Sequence, residues 1–225
     1  RLAKKTGIGF GEAMRLLAGA DSPEDEDAGA ADPDWSQVVA GPWLAETLKG
    51  LRSPEGLADV DPGPALRGSL RPYQQVGVRW LYLLSRLGLG ACLADDMGLG
   101  KTIQVLSLLL VRKARGETAD RPSLLVAPAS LLANWAAEIA RFAPGLSFLV
   151  AHPSSLPAAE LKDQPPDRLA GKDLVITSYG TFARVPWLAA TEWDVAVLDE
   201  AQAVKNPEAK QTRAVKQIAS RVRFA

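Results

Sequence analysis

The stretch Leu93-Ala94-Asp95-Asp96-Met97-Gly98-Leu99-Gly100-Lys101-Thr102-Ile103-Gln104 sets two aspartates, two glycines and a lysine between apolar flanks. The apolar run over 90–95 predicts a strand, and the periodic residues over 102–112 predict a helix. Strand, glycine-rich turn and helix in that order form the context of a phosphate-binding loop. Gly98 and Gly100 let the backbone turn sharply and bring amide N–H groups close to an anion. The helix opening near Lys101 adds the positive end of its dipole. Lys101 can reach β- and γ-phosphates, and the Thr102 hydroxyl can sit on magnesium. The generic loop pattern asks for glycine at position 95, where this chain has Asp95.

A second stretch complements the first. In Val195-Ala196-Val197-Leu198-Asp199-Glu200-Ala201-Gln202 an apolar strand delivers two adjacent carboxylates. Two acids permit two tasks: Asp199 can hold magnesium through its water shell, and Glu200 can polarise the attacking water. Together the two stretches predict an ATP and magnesium site with Lys101 and Glu200 as its catalytic residues.

Outward from these, strands are expected at 123–127, 146–151, 174–178 and 193–198. Helices are expected near 73–84, 130–142, 180–189 and 208–220, with Ser130 as the cap of the second. In the first helix Tyr73, Val76, Trp80, Leu81 and Leu84 follow helical spacing, and Trp80, Trp135 and Trp193 are expected in the core. Residues 153–171 read as an irregular excursion with one helical turn. The alternation predicts an α/β fold, a mainly parallel sheet flanked by helices. Ligands of such sheets sit beyond the carboxyl ends of the strands. The unusual residues fall there: 95–102, 128–130, 177–179 and 199–202.

The front of the chain differs. Residues 1–65 hold 6 Lys/Arg against 12 Asp/Glu, and residues 66–225 hold 20 against 14. Short helices are expected at 5–19 and around Trp43–Leu51, with an acidic linker at about 20–34. Cys92 and His152 are the chain's only cysteine and histidine, which excludes an internal disulfide and cysteine or histidine metal clusters. Cys92 is expected within the apolar strand and His152 at a strand end. No apolar run approaches the ~18–20 residues of a membrane span, so no membrane role is expected. The chain begins at Arg1, as expected of a piece of something longer.

Leu70-Arg71-Pro72-Tyr73-Gln74, the lysine-bearing stretch 93–104, Leu174-Val175-Ile176-Thr177-Ser178-Tyr179 and Asp199-Glu200-Ala201-Gln202 resemble, in order, the motifs of Swi/Snf-type ATPases of helicase superfamily two. Asp95 is usual there. The resemblance covers about residues 66–225 and implies a first RecA-like lobe. Residues 1–65 resemble the helicase-associated region of the bacterial branch. It further implies a nucleotide site of Gln74, Asp96, Met97, Gly98, Leu99, Gly100, Lys101, Thr102 and Ile103, with Gln74 at the adenine edge. Pro128, Ser130, Thr177, Ser178 and Tyr179 are implied to face a nucleic-acid backbone, and the basic run that starts with Lys205 can join them.

The activity implied is ATP-driven translocation on double-stranded DNA, or remodelling of protein–DNA complexes. Strand separation on RNA or DNA, and displacement of a partner such as RNA polymerase, are the alternatives. The location implied is bacterial cytoplasm, at the nucleoid. In the family a further strand, a Thr-Gly-Thr-Pro-like motif and a second lobe with arginine fingers come after the acidic motif. Their absence from these 225 residues predicts poor ATP turnover by this chain alone, and an unpaired gap at the sheet centre with marginal stability.

Overall fold

The computed structural model describes residues 60–96, 98–118, 121–162 and 169–225. The chain divides between Arg52 and Ser53, and every described residue lies in the second unit. The helices expected at 5–19 and Trp43–Leu51, the linker at 20–34 and Met97 lie outside the described residues.

Five parallel strands make one sheet: β1 (Ser123–Ala127), β2 (Phe148–Ala151), β3 (Leu174–Ser178), β4 (Trp193–Leu198) and β5 (Ser220–Phe224), in the order β2-β3-β1-β4-β5. Strand residues alternate between two cores, as the period of two requires. Leu125, Ala127, Ile176, Val195, Val197, Val222 and Phe224 face one core. It is covered by α1 (Pro72–Arg86), α2 (Lys101–Ala114) and α3 (Leu132–Phe142). Leu124, Val126, Val175 and Ala196 face the other, under Leu161 of α4 (Ala158–Lys162), Phe182 of α5 (Tyr179–Phe182), Leu188 of α6 (Pro186–Ala190) and Val215 of α7 (Lys210–Lys216). Helices on both faces leave the carboxyl edge of a parallel sheet free for loops. Val60, ahead of the boundary expected at residue 66, is buried in the first core.

Several expectations change. The last helix ends at Lys216, and Ser220–Phe224 is a strand. Arg221 and Arg223 are exposed while Val222 and Phe224 are buried, an alternation of strand period that the basic run obscures. Because β5 pairs with β4, the sheet has no gap beside the acidic strand, and the marginal stability expected from that gap loses its ground. The strand expected at 90–95 is reduced to one parallel bridge, Ala91 with Phe224. Even so, Ala91 N–H donates to the Arg223 carbonyl (3.1 Å), Leu93 N–H to the Ala225 carbonyl (2.7 Å) and Ala225 N–H to the Ala91 carbonyl (2.9 Å).

A 3-10 turn, Ala129–Leu131, precedes α3, so Ser130 does not cap it. The expected helix at 180–189 is two short helices broken before Pro186, whose ring cannot continue the first. In α1, Tyr73 and Val76 are exposed, and the inward face carries Gln74, Val78, Leu81 and Tyr82. Trp135 and Trp193 are buried and Trp80 is half-buried.

At the amino edge of the sheet the Arg112 guanidinium grips buried Asp194, with Nη2 at 2.9 Å from each carboxylate oxygen and Nε at 3.1 Å from Oδ2. Arg112 Nη1 donates to Ser85 Oγ and Glu117 Oε2, both at 3.0 Å. Filling every donor position in this way is what makes a buried ion tolerable.

Phe224 is buried at the seam between β5 and the approach to the lysine-bearing loop. Phe224→Ala should destabilise the chain by about 3–5 kcal/mol, read as a lowered urea midpoint with an unchanged slope.

Candidate nucleotide site

The lysine-bearing loop is shaped by two left-handed glycines, Gly98 (φ 83°) and Gly100 (φ 80°), the second directly preceding α2. L-residues with side chains are strained there. Asp95, at the position where the generic pattern has glycine, needs no such backbone, since Glu200 is the one described non-glycine residue with positive φ. The Asp95 carboxylate instead accepts a long hydrogen bond from buried Gln104 Nε2 at 3.4 Å. Lys101 Nζ donates to the backbone carbonyls of Asp95 (2.6 Å) and Asp96 (3.2 Å), so its ammonium is held on the inner side of the turn.

Gln74 buttresses this turn. Its side-chain carbonyl accepts from Arg71 N–H at 2.9 Å, and its Nε2 donates to the Leu99 carbonyl at 3.0 Å. Tyr73 OH donates to the same carbonyl at 3.1 Å. A carboxamide has two donor hydrogens and two acceptor lone pairs. Gln74 Nε2 also donates a long hydrogen bond to Tyr73 OH at 3.5 Å, so both donors are engaged and one acceptor lone pair is left on Gln74. A Cβ on Gly100 would collide with Gln74 Nε2.

The acidic stretch converges on the same place. Strand β4 carries Asp199 and Glu200 to the carboxyl edge, where Asp199 N–H still donates to the Val126 carbonyl at 2.9 Å. Trp135 Nε1 donates to Asp199 Oδ2 at 2.7 Å. Tyr179 OH donates to the Asp199 carbonyl oxygen at 2.8 Å. Burial, with the nearby Asp199 and Glu200 charges, raises the Tyr179 pKa, so the phenol keeps the proton it donates. Glu200 sits in the left-handed region (φ 51°, ψ 51°), turning the chain into the 3-10 segment Ala201–Val204, and its carboxylate accepts from Gln202 Nε2. Such strain in a non-glycine residue costs of order 1–3 kcal/mol and recurs at functional sites.

One cavity of ≈ 470 Å³ is lined by Asp95, Asp96, Lys101, Trp135, Asp199, Glu200 and Gln202, with Cys92 and Phe224 on its wall. Lysine and acid pair therefore share a chamber although 97 residues lie between Lys101 and Asp199. The oxygen donors on the cavity wall are the carboxylates of Asp95, Asp96, Asp199 and Glu200. Thr102, half-buried at the start of α2, directly follows Lys101 and is not itself part of the lining. Among the described residues no group of three or more His, Cys, Asp or Glu could by itself hold a metal ion. That donor set suits magnesium, which is usually held by one or two carboxylates, water and substrate phosphates rather than by an all-protein cage.

Other expected site residues lie elsewhere. Gly98 and Leu99 are exposed on the turn, and Ile103 packs against the first core. Pro128 is half-buried and Ser130 and Lys205 are exposed. The Thr177 hydroxyl donates inward to the Ala151 carbonyl at 2.8 Å. Ser178 caps α5, accepting from Thr181 N–H at 3.1 Å and donating to Thr181 Oγ1 at 2.9 Å. With Tyr179 tied to Asp199, all three side chains are buried and hydrogen-bonded within the protein. Cys92, expected inside an apolar strand, is exposed. His152 directly follows β2, its Nδ1 2.8 Å from Ser154 Oγ, and desolvation and the Arg184 charge lower its pKa. Trp135, read as core alone, is the site residue that periodicity hid.

A family model, the SNF2-related domain, matches residues 73–225. YwqA of Bacillus subtilis, whose name marks it as a candidate ATP-dependent helicase/translocase, is 40% identical over 176 residues, 78% of this chain and 19% of its own length. The TATA-binding protein-associated factor mot1 of Aspergillus fumigatus is 39% identical over 171 residues, 71% of this chain and 9% of its own. A solved SWI2/SNF2 ATPase core from Sulfolobus solfataricus, in complex with double-stranded DNA, superposes with a TM-score of 0.61 at 38% identity, covering 72% of this chain and 32% of that one. The chain thus spans about a fifth or less of the curated relatives it matches. Among the described residues no helix is long and apolar enough to cross a membrane.

Gly100→Ala adds a strained backbone and a collision with Gln74. It should cost about 1–3 kcal/mol. In the Gln74→Ala background the collision disappears and the backbone cost stays, so a double-mutant cycle by thermal melting should show clear non-additivity.

Proposed function

This chain belongs to the SNF2-related family, and from that premise we propose that it is the ATP-binding lobe of a nucleic-acid-stimulated, magnesium-dependent ATPase that translocates on double-stranded DNA or remodels protein–DNA complexes. The carrying observation is the single cavity that Lys101 shares with Asp199 and Glu200.

In this reading the turn 95–100 and the start of α2 cradle the triphosphate. Lys101 exchanges its two backbone carbonyls for phosphate oxygens, a stronger, charge-assisted pairing. Gln74 offers its carboxamide to the adenine edge, exchanging its long bond to Tyr73 OH for the base. Thr102 and Asp199 would hold magnesium, which when bound supplies charge neutralisation on the phosphates. Glu200, released from Gln202, orients the attacking water and accepts its proton.

Residues 66–225 form the RecA-like lobe in this proposal, and residues 1–65 the helicase-associated region ahead of it. The nucleic-acid face is assigned to the carboxyl-edge segments Pro128, Ser130, Thr177, Ser178, Tyr179 and Lys205. The exposed Ser130 hydroxyl and Lys205 ammonium are free to meet phosphate, whereas Thr177, Ser178 and Tyr179 contribute by holding the edge in shape. Such contacts position a duplex without reading its sequence. The Sulfolobus core in complex with double-stranded DNA and the TATA-binding protein-associated relative support a DNA-bound target.

Lys101→Ala should weaken ATP binding tenfold or more, measured by calorimetry. Glu200→Gln should keep ATP affinity while turnover falls roughly 10²-fold or more in any protein carrying this lobe with its partner lobe. The turnover of such a protein should rise with linear duplex DNA and not with single-stranded RNA, and the rise should fade as salt is raised. Stimulation by RNA alone would replace translocation on DNA with the strand-separating alternative.

A further inference from the structure

Trp135 lies on α3, in a different part of the chain from both the lysine loop and the acid pair, yet its indole nitrogen ends on the Asp199 carboxylate at 2.7 Å. The ring itself is buried in the first core, so its direction is set by packing rather than by the bond it makes. Asp199 is thereby held at three atoms. Its N–H donates to Val126, its carbonyl accepts from Tyr179, and its Oδ2 accepts from Trp135. Indole is a donor only and cannot compete for a cation. One carboxylate oxygen is pinned and the other is left for a metal-bound water. This is the role that outer partners of metal-binding carboxylates play: they fix which oxygen is presented and in what direction.

We propose that Trp135 is a positioning residue for magnesium binding, acting through Asp199. The inference rests on the reading of Asp199 as the magnesium-side carboxylate. Removing the indole N–H leaves the Asp199 side chain free to rotate in the cavity. The chain should then keep its nucleotide affinity without metal and lose much of the gain that magnesium brings.

The test compares ADP binding in EDTA and in magnesium for the 225-residue chain, for Trp135→Phe and for Asp199→Asn, by calorimetry. Trp135→Phe should bind metal-free ADP as the parent does and lose about tenfold of the magnesium-dependent gain. If Asp199→Asn loses that gain and Trp135→Phe keeps it, the proposal is overturned while the magnesium reading stands. If Asp199→Asn keeps the gain, the magnesium reading itself fails and takes the proposal with it. An equal loss in EDTA and in magnesium would mark Trp135 as a packing residue only, and overturns the proposal.

A second measurement does not depend on Trp135→Phe folding. Among the six tryptophans, the through-bond-assigned Trp135 indole N–H resonance should move on Asp199→Asn and again when magnesium joins bound ADP. A resonance that stays in place in both cases rules the contact out.

Discussion

Three backbone hydrogen bonds between Ala91–Leu93 and Arg223–Ala225 decide where the lysine-bearing loop sits. The loop has no regular strand of its own to carry it; it hangs from β5, which hangs from β4. The same β4 delivers the acid pair. The approach to the lysine loop and the acid-bearing strand are therefore separated by one strand, about 4.8 Å on each side. Without β5 the approach to the loop would lose its only backbone tie to the sheet among the described residues.

On that frame, the polar groups around the cavity are held rather than merely placed. Gln74 ties the start of α1 to the loop. Trp135 and Tyr179 tie the elements after β1 and β3 to Asp199. Among the described non-glycine residues Glu200 alone sits in a costly backbone conformation, with a side-chain partner two residues away. The arrangement gives Asp199 a fixed direction and leaves Glu200 a local bond that is easily exchanged, which matches the different tasks proposed for them.

The lysine loop and the acid pair are legible in sequence because phosphate and metal chemistry demand particular residue types at particular spacings. The parallel sheet is legible because buried strands such as Leu124–Ala127 and Val195–Val197 are continuously apolar. Ser220–Phe224 is hidden by its own arginines: charge suggests a solvated helix face, while the alternation of two buried residues spans too few positions to prevail. The inward face of α1 is hidden because Gln74 is buried for its hydrogen bonds while Tyr73 and Val76 stay exposed. Trp135 defeats a binary reading altogether, since one aromatic ring fills a core and serves a carboxylate at once. The family resemblance points the hydroxyls of Thr177 and Ser178 to phosphate, and only three-dimensional neighbours show that they are already engaged.

The ion pair between Arg112 and Asp194 gains meaning from its position. Helix α2 descends from Lys101 to Arg112, about 16 Å at 1.5 Å per residue. Strand β4 climbs from Asp194 to Asp199, again about 16 Å at 3.3 Å per residue. Helix and strand are thus two prongs of equal length, riveted together at the base, with the lysine on one tip and the aspartate on the other. Such tweezers cannot slide one prong past the other. Any change in grip between empty and loaded forms has to arise at the tips, by rearrangement of the glycine turn and the acidic bend, while the shafts stay aligned.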